Sequence, residues 1–487
     1  MVNDPQALLK RLFKEPTESA WVEFKENNDD PEMIGSWVSA CANAAILAGK
    51  ERGFLVFGVR DKPRKMVGTT VDISKMKKGG ENFTNWLSRM IEPRLMMEFL
   101  DFRVGSHKYA VIAIEPTYDR PVKFNGTEYL RIGENTKKLS DFPNHERSIW
   151  VATGRRKFED AIAISHQSAF DVFEQLDVDA FYALLKEQKP RVPEEIIRKF
   201  EMSGFIRDDM EGSYDITNLG AIVLAKDLHK FPSTAGKAIR VIQYRGEDKR
   251  HSENEEEFNS GYAVALPRVL RHMNSILPKK EIYTNGIRSV IPVYPVTALR
   301  EVIANAMIHQ DFTITGSAPV VEVYGKRVEV SNPGASLVEI DRIIDERRSR
   351  NEKLASSMRL LGLCEERGGG LDKAGFEIEE QNLPAPEFIS SKDTMRVVLY
   401  GPKSFSELNK TEKLRACFFH CILRWLQRDY MSNTTLRDRF RLEQENYQAV
   451  SAIISESVKR KRVVPAETNQ GKRNAKYVPY WTRKLSQ

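Results

Sequence analysis

Cysteine is scarce in this chain. Four occur in 487 residues, Cys41, Cys364, Cys417 and Cys421, and their spacings fit neither a zinc ribbon nor a redox Cys-x-x-Cys pair. Cys417 and Cys421 stand one helical turn apart on an apolar face, which predicts core packing. Long apolar runs are lacking too. No stretch is long enough to cross a bilayer, so no membrane partner is expected. The first residues, Met1-Val-Asn-Asp-Pro5, carry neither the basic start nor the apolar run of a signal peptide, and the expectation is a cytoplasmic protein. Neither an internal repeat nor a disordered tail is evident.

What is present suits a globular protein: 41% of residues are hydrophobic and 29% charged. The length exceeds one ordinary core and predicts three or four domains. A net charge of +7 suits a polyanionic partner, but composition does not separate nucleic acid from general solubility.

The stretch Glu18-Ser-Ala-Trp-Val-Glu-Phe-Lys25 organises the N-terminal third. From Trp21 to Lys25 it alternates, so a strand turns Trp21, Glu23 and Lys25 to one face and Val22 and Phe24 to the other. Glu18 lies an odd number of residues before Glu23. It joins the same face only from a turn ahead of the strand, which Pro16-Thr17 supports. Asp61 follows the apolar run Gly53-Phe-Leu-Val-Phe-Gly-Val59. Three acids at strand ends with Lys25 beside them form a place where oxygen ligands hold a hard cation, which activates water and stabilises phosphate charge. The plain alternative is solvated charges near strand ends.

Around this stretch the pattern predicts helices over 7–14, 31–47 and 72–91, a short strand near Val67, and strands over 97–104, 108–114 and 128–132. Strands crossed by helices predict an α+β sandwich with an open face. Lys123, Arg131, Lys137 and Lys138 cluster at the last strand and would meet phosphates, with Tyr129 stacking on a base. An ordinary basic edge strand has the same composition. Asn43 reads either as a site residue or as a helix-face amide bonded to a loop.

Glu18-Ser19, Glu23-Phe-Lys25, Ala42-Asn43, Gly58-Val-Arg-Asp61 and Tyr129-Leu-Arg-Ile-Gly-Glu-Asn-Thr136 together resemble the Schlafen AlbA-like domain over residues 1–155. The resemblance implies an α/β sandwich that binds nucleic acid. In nuclease members two glutamates and an aspartate bind a divalent metal and cut RNA. The matching positions are Glu18, Glu23 and Asp61, with Mg2+ or Mn2+ as the implied metal and Lys25 neutralising the scissile phosphate. Other relatives simply bind nucleic acid. Here Ala48-Gly-Lys-Glu-Arg-Gly53 replaces the usual Gly-Gly before the central strand.

Residues 156–290 read as a helical, winged connector, with helices over 177–186 and 193–202 and then a hairpin. In the next part, 291–402, a helix starting near Thr297 sets Glu301, Asn305 and His309 four residues apart on one polar stripe. That stripe, the strand pair at 320–324 and 327–334, Arg350-Asn351 and Gly362-Leu-Cys-Glu-Glu-Arg-Gly-Gly-Gly370 resemble a divergent, RecG-related branch of the histidine-kinase-like ATPase fold. The resemblance implies ATP as a ligand, Asn305 on magnesium and Glu301 orienting water. Asn332-Pro-Gly334 replaces the Asp-x-Gly that reads adenine there, and an amide accepts the adenine amino group more weakly than a carboxylate. Gly368 and Gly370 would bring backbone amides to phosphates.

In 403–487, three helices and a basic hairpin predict a winged helix, with Lys472 and Arg473 on the wing. Two functions follow for this multidomain α+β chain. One is a metal-dependent endoribonuclease on structured RNA, tRNA by family analogy, working as a homodimer and suited to antiviral defence. The other is a DNA-binding transcriptional regulator with an ATP-sensing domain.

Overall fold

The computed structural model describes residues 2, 4–15, 19–61, 63–116, 120–133, 135–153, 157–284, 287–365, 369–467, 470–471 and 475–482. The chain packs as two compact units, one of residues 1–161, 165–168 and 207–215, the other holding the remainder.

The first unit is built on the helix Pro31–Ala48. Asp30 accepts from the Glu32 amide at its start, proline occupies the first turn, and Gly49 closes it with φ +63°, a conformation glycine adopts without strain. A side chain at Gly35 would meet the Phe124 ring at 2.1 Å, so the helix can lie close to that strand. The helix links Val22–Lys25 to Gly53–Phe57, which pair in parallel with Glu23 opposite Leu55. His107–Glu115 and Met96–Val104 extend this sheet antiparallel. Successive residues of Gly53–Phe57 serve opposite faces: Leu55 and Phe57 join one apolar cluster, Phe54 and Val56 the other. A second sheet runs in the order Asn135–Lys138, Thr127–Ile132, Lys123–Phe124, Ile91–Glu92.

Periodicity misplaces one element. The helix expected over 72–91 is a 3-10 turn, a tiny hairpin and then the helix Phe83–Met90. Gly79 and Gly80 take φ of +57° and +86°, which turns the chain, and Asn82 starts the helix anew by capping Thr84.

The second unit holds a six-stranded sheet in the order Ser252–Phe258, Ile239–Tyr244, Val320–Val323, Arg327–Pro333, Thr394–Tyr400, Glu387–Ser390. Ile239–Tyr244 pairs with Val320–Val323 in parallel, so the sheet takes strands from both sides of residue 290. The helix Val296–His309 packs on Arg327–Pro333 and on the helices Tyr262–Ile276 and Gly370–Glu380. Three helices follow, Lys410–Leu426, Asn433–Arg439 and Tyr447–Lys459, the first two opened by capping boxes. A ribbon of Val463–Pro465 and Tyr477–Pro479 closes the chain, with Met431 bridging to Tyr477. Cys417 and Cys421 are buried in the core of this part, as their spacing predicts. Among the described residues no helix is long and apolar enough to cross a membrane.

Candidate functional site

Two neighbourhoods gather the residues singled out by the sequence. In the first unit, Glu23 and Lys25 share a strand face, as alternation requires. The Lys25 ammonium lies 2.6 Å from Oε1 of Glu23, and the Arg131 guanidinium Nε lies 2.8 Å from Oε2. Glu23 is only 4% exposed, so two cations surround a buried carboxylate. Arg131 also donates to the carbonyl oxygens of Val22 and Ser19. It is therefore buried against Glu23 and not on the surface. Lys25 lies 4.7 Å from the Trp37 ring centre. The Cys41 thiol is pushed up to about 12 by burial and then by the charge of Glu23.

Asp61 is exposed, one residue beyond the short strand Val59–Arg60. Glu18 lies outside the described residues. Asn43 is a buried structural amide: it donates to the carbonyls of Val122 and Tyr129 at 2.9 and 2.8 Å and accepts from the Val122 amide at 2.7 Å. Of the basic cluster, Lys137 and Lys138 are exposed on an edge strand, and Lys123 pairs with Glu128 at 3.5 Å. Tyr129 is half-buried against the core. Lys472 and Arg473 lie outside the described residues.

In the second unit, Glu301, Asn305 and His309 do line one wall of a cavity of about 310 Å³. Asn332, Val330 and Val397 of the sheet form its floor, and Ile343, Arg347 and Arg348 face them from a loop. Arg359, Cys364 and Gly370 complete it. Arg300 holds Oε1 of Glu301 at 2.7 Å, and a Cβ at position 370 would come within 2.0 Å of Oε2. Glycine is the residue that fits there. Asn332 donates to the Pro333 carbonyl at 3.0 Å.

Gly334 stands outside the lining, with φ +98° and Asp311 against it. Arg350 pairs with Asp311 at 2.9 Å and donates to the Ala335 carbonyl, while Asn351 donates to the carbonyls of Ile308 and Gln310. The Arg350-Asn351 pair thus ties the end of the helix to the sheet loop. Gly368 lies outside the described residues. Burial first, then the charges of Arg350 and Arg359, hold His309 down at about 4. It is a neutral imidazole near pH 7. Burial, then Glu301, pushes Cys364 up to about 11. Oxygens of Glu301 and Asn305 suit a hard cation, the arginines suit phosphate, and Val302, Ala306, Val330 and Met395 offer an apolar bed.

Residues 18–140 match the family described as Schlafen, AlbA_2, and residues 316–399 match that described as Putative ATP-dependent DNA helicase recG C-terminal. These matches support a Schlafen-related AlbA-like domain and a RecG-related ATPase-like region. No curated protein matches the chain. Among solved structures it is similar to the DIP2311 protein from Corynebacterium diphtheriae, at 15% identity and a TM-score of 0.42 over 99% of this chain and 98% of the other. It is also similar to the N-terminal domain of a putative ATP-dependent DNA helicase RecG-related protein from Nitrosomonas europaea. That match has 24% identity and a TM-score of 0.20 over 28% of this chain and 93% of the other.

The AlbA-like domain belongs to a type suited to nucleic-acid binding, and the cavity sits where the ATPase-like region meets its helix. One group escaped the sequence reading. Among the described residues, His166, Asp209 and Asp215 bring three ligand atoms within 4.8 Å of one another, an arrangement that could hold a metal ion. No motif spacing announces it, because 43 residues separate His166 from Asp209.

Proposed function

We propose that this chain is a nucleic-acid-binding regulator whose grip is set by a nucleotide in the second unit. The observation that carries the reading is the double role of the segment 337–348. Its Ile343, Arg347 and Arg348 line the cavity, while Ile344 belongs to the apolar core of the C-terminal helices. Asp341 pairs with Arg462 and accepts from the Tyr480 hydroxyl at 3.4 Å, and the Arg342 guanidinium lies 5.4 Å from the Trp481 ring centre.

A ligand that binds one arrangement of this segment better than another must bias the C-terminal helices and ribbon, by no more than its difference in affinity. Those elements follow a winged-helix order, with Tyr447–Lys459 as the helix for a groove and the ribbon for phosphates. In the AlbA-like domain, Lys137 and Lys138 supply a second phosphate contact.

Anisotropy of a labelled DNA duplex tests this, with and without magnesium and a slowly hydrolysed ATP analogue. The expected result is a change of about fivefold or more in DNA affinity. Asp341→Ala shrinks that change while each ligand still binds alone. A wild-type chain whose DNA affinity ignores the nucleotide ends the proposal.

A second reading is favoured by the placement of Glu23 and Lys25 on one face of the strand Val22–Lys25. In metal-dependent RNA cleavage, carboxylate oxygens would hold the metal, and Lys25 would neutralise the scissile phosphate. Glu18 and Asp61 would complete the ligands for Mg2+ or Mn2+, the substrate is structured RNA such as tRNA, and two copies of the chain enclose it. Such damage to RNA would serve defence against viruses. With tRNA and manganese, Glu23→Gln is expected to abolish cutting while RNA binding changes by about twofold or less. Wild-type protein that cuts no RNA under these conditions removes this reading.

A further inference from the structure

The group formed by His166, Asp209 and Asp215 lies wholly in the first unit, apart from Glu23 and Asp61 in sequence and in its elements. Asp209 and Asp215 stand on the excursion 207–215, and His166 on the segment 165–168. Nδ1 of His166 is 3.1 Å from Oδ2 of Asp209, near the roughly 3.3 Å that separates neighbouring ligands around tetrahedral zinc.

Each carboxylate is already oriented. Oδ1 of Asp209 accepts from the amides of Glu211 and Ser213 at 2.8 and 2.9 Å, which leaves Oδ2 toward the imidazole. Oδ1 of Asp215 accepts from the His166 amide at 3.0 Å. The Asp209 side chain is 2% exposed, that of His166 25%, so one edge of the group remains open for water.

Charge is unbalanced here. Two carboxylates lie close to one imidazole, and Arg52 is engaged with Glu115 at 2.9 Å and with Glu211 at 3.9 Å. The arrangement contrasts with Glu23, whose single carboxylate is held between two cations.

We infer that His166, Asp209 and Asp215 form a binding site for a divalent cation of the zinc class, with water on the open edge. One nitrogen and two carboxylate oxygens suit zinc, and manganese less well. The cation fastens the segment 165–168 to the excursion 207–215. That excursion is itself tied to the AlbA-like domain by Arg207 with Glu51 and by Arg11 with Asp208.

Metal uptake by the full chain tests the site, with Zn2+ in equilibrium dialysis and Co2+ as a spectroscopic stand-in. The Glu23→Gln background silences the other acidic centre. In that background one equivalent is expected, with visible Co2+ ligand-field bands. Asp215→Asn keeps an oxygen to accept the His166 amide, and it should weaken uptake by about tenfold or more and abolish the bands while metal-free melting stays unchanged. His166→Gln should do the same. The absence of Co2+ bands in the Glu23→Gln chain overturns the site, independently of any further variant. So does zinc uptake that neither second substitution alters. Should Glu23→Gln alone remove all the metal, the cation belongs to the other centre and this site does not exist.

Discussion

Glu23 and Glu301 are both buried glutamates with an arginine on one oxygen, yet their surroundings differ. Around Glu23 one oxygen is met by Lys25 and the other by the Arg131 guanidinium, which also donates to carbonyl oxygens. Around Glu301 the second oxygen faces a glycine, beside a cavity of about 310 Å³. A closed cluster, its one carboxylate held on both oxygens by cations, holds a fold together. An open one, with carboxylate, amide and arginine groups set around an apolar bed, is organised for something that enters. This difference gives regulation through the second unit precedence over cleavage in the first.

Removing the arginine from each glutamate breaks the contrast most forcefully. Arg131 is 7% exposed at its side chain and Arg300 35%. Arg131→Ala leaves a buried carboxylate with Lys25 alone and should cost about 3 kcal/mol. Arg300→Ala removes a partner that water can replace, and should cost less than about 1 kcal/mol. Urea unfolding of the two variants measures the gap. Adding Glu23→Gln to Arg131→Ala should return part of the loss, because the unmatched charge is gone. Equal losses at the two positions would mean that Glu23 is not sealed, and would restore weight to its role as a metal ligand.

Local chemistry was legible in the sequence. Proline after Asp30 and glycine at position 49 mark the ends of the helix Pro31–Ala48, and the four-residue spacing of Glu301, Asn305 and His309 put them on one wall. What depends on distant packing was not. Arg131 reads as a basic residue on a strand, and only the fold brings Val22 and Glu23 over it, 109 residues back for the carbonyl it meets. Arg347 and Arg348 give no pattern of their own, since the loop that aims them is held from the C-terminal side. Gly79-Gly80 could have warned that the helix expected over 72–91 breaks, for paired glycines permit the left-handed turn seen there.

His309 supplies the finest probe of the open site. Its imidazole is held at about 4, below the roughly 6.5 of an unfolded chain. Between those values the unfolded chain takes up a proton that the folded chain refuses. Stability present above about pH 6.5 is therefore lost as pH falls toward 4, and His309→Gln should flatten that part of a melting-temperature profile. Phosphates entering the cavity would add negative charge near the ring, favour its protonated form and raise its value. Nucleotide binding near pH 6 should then take up a fraction of a proton, seen as a dependence of the calorimetric heat on the ionisation enthalpy of the buffer. That dependence should fall in His309→Gln. Heats that do not vary with buffer would place the phosphates away from His309, toward Arg347 and Arg348 at the opposite wall.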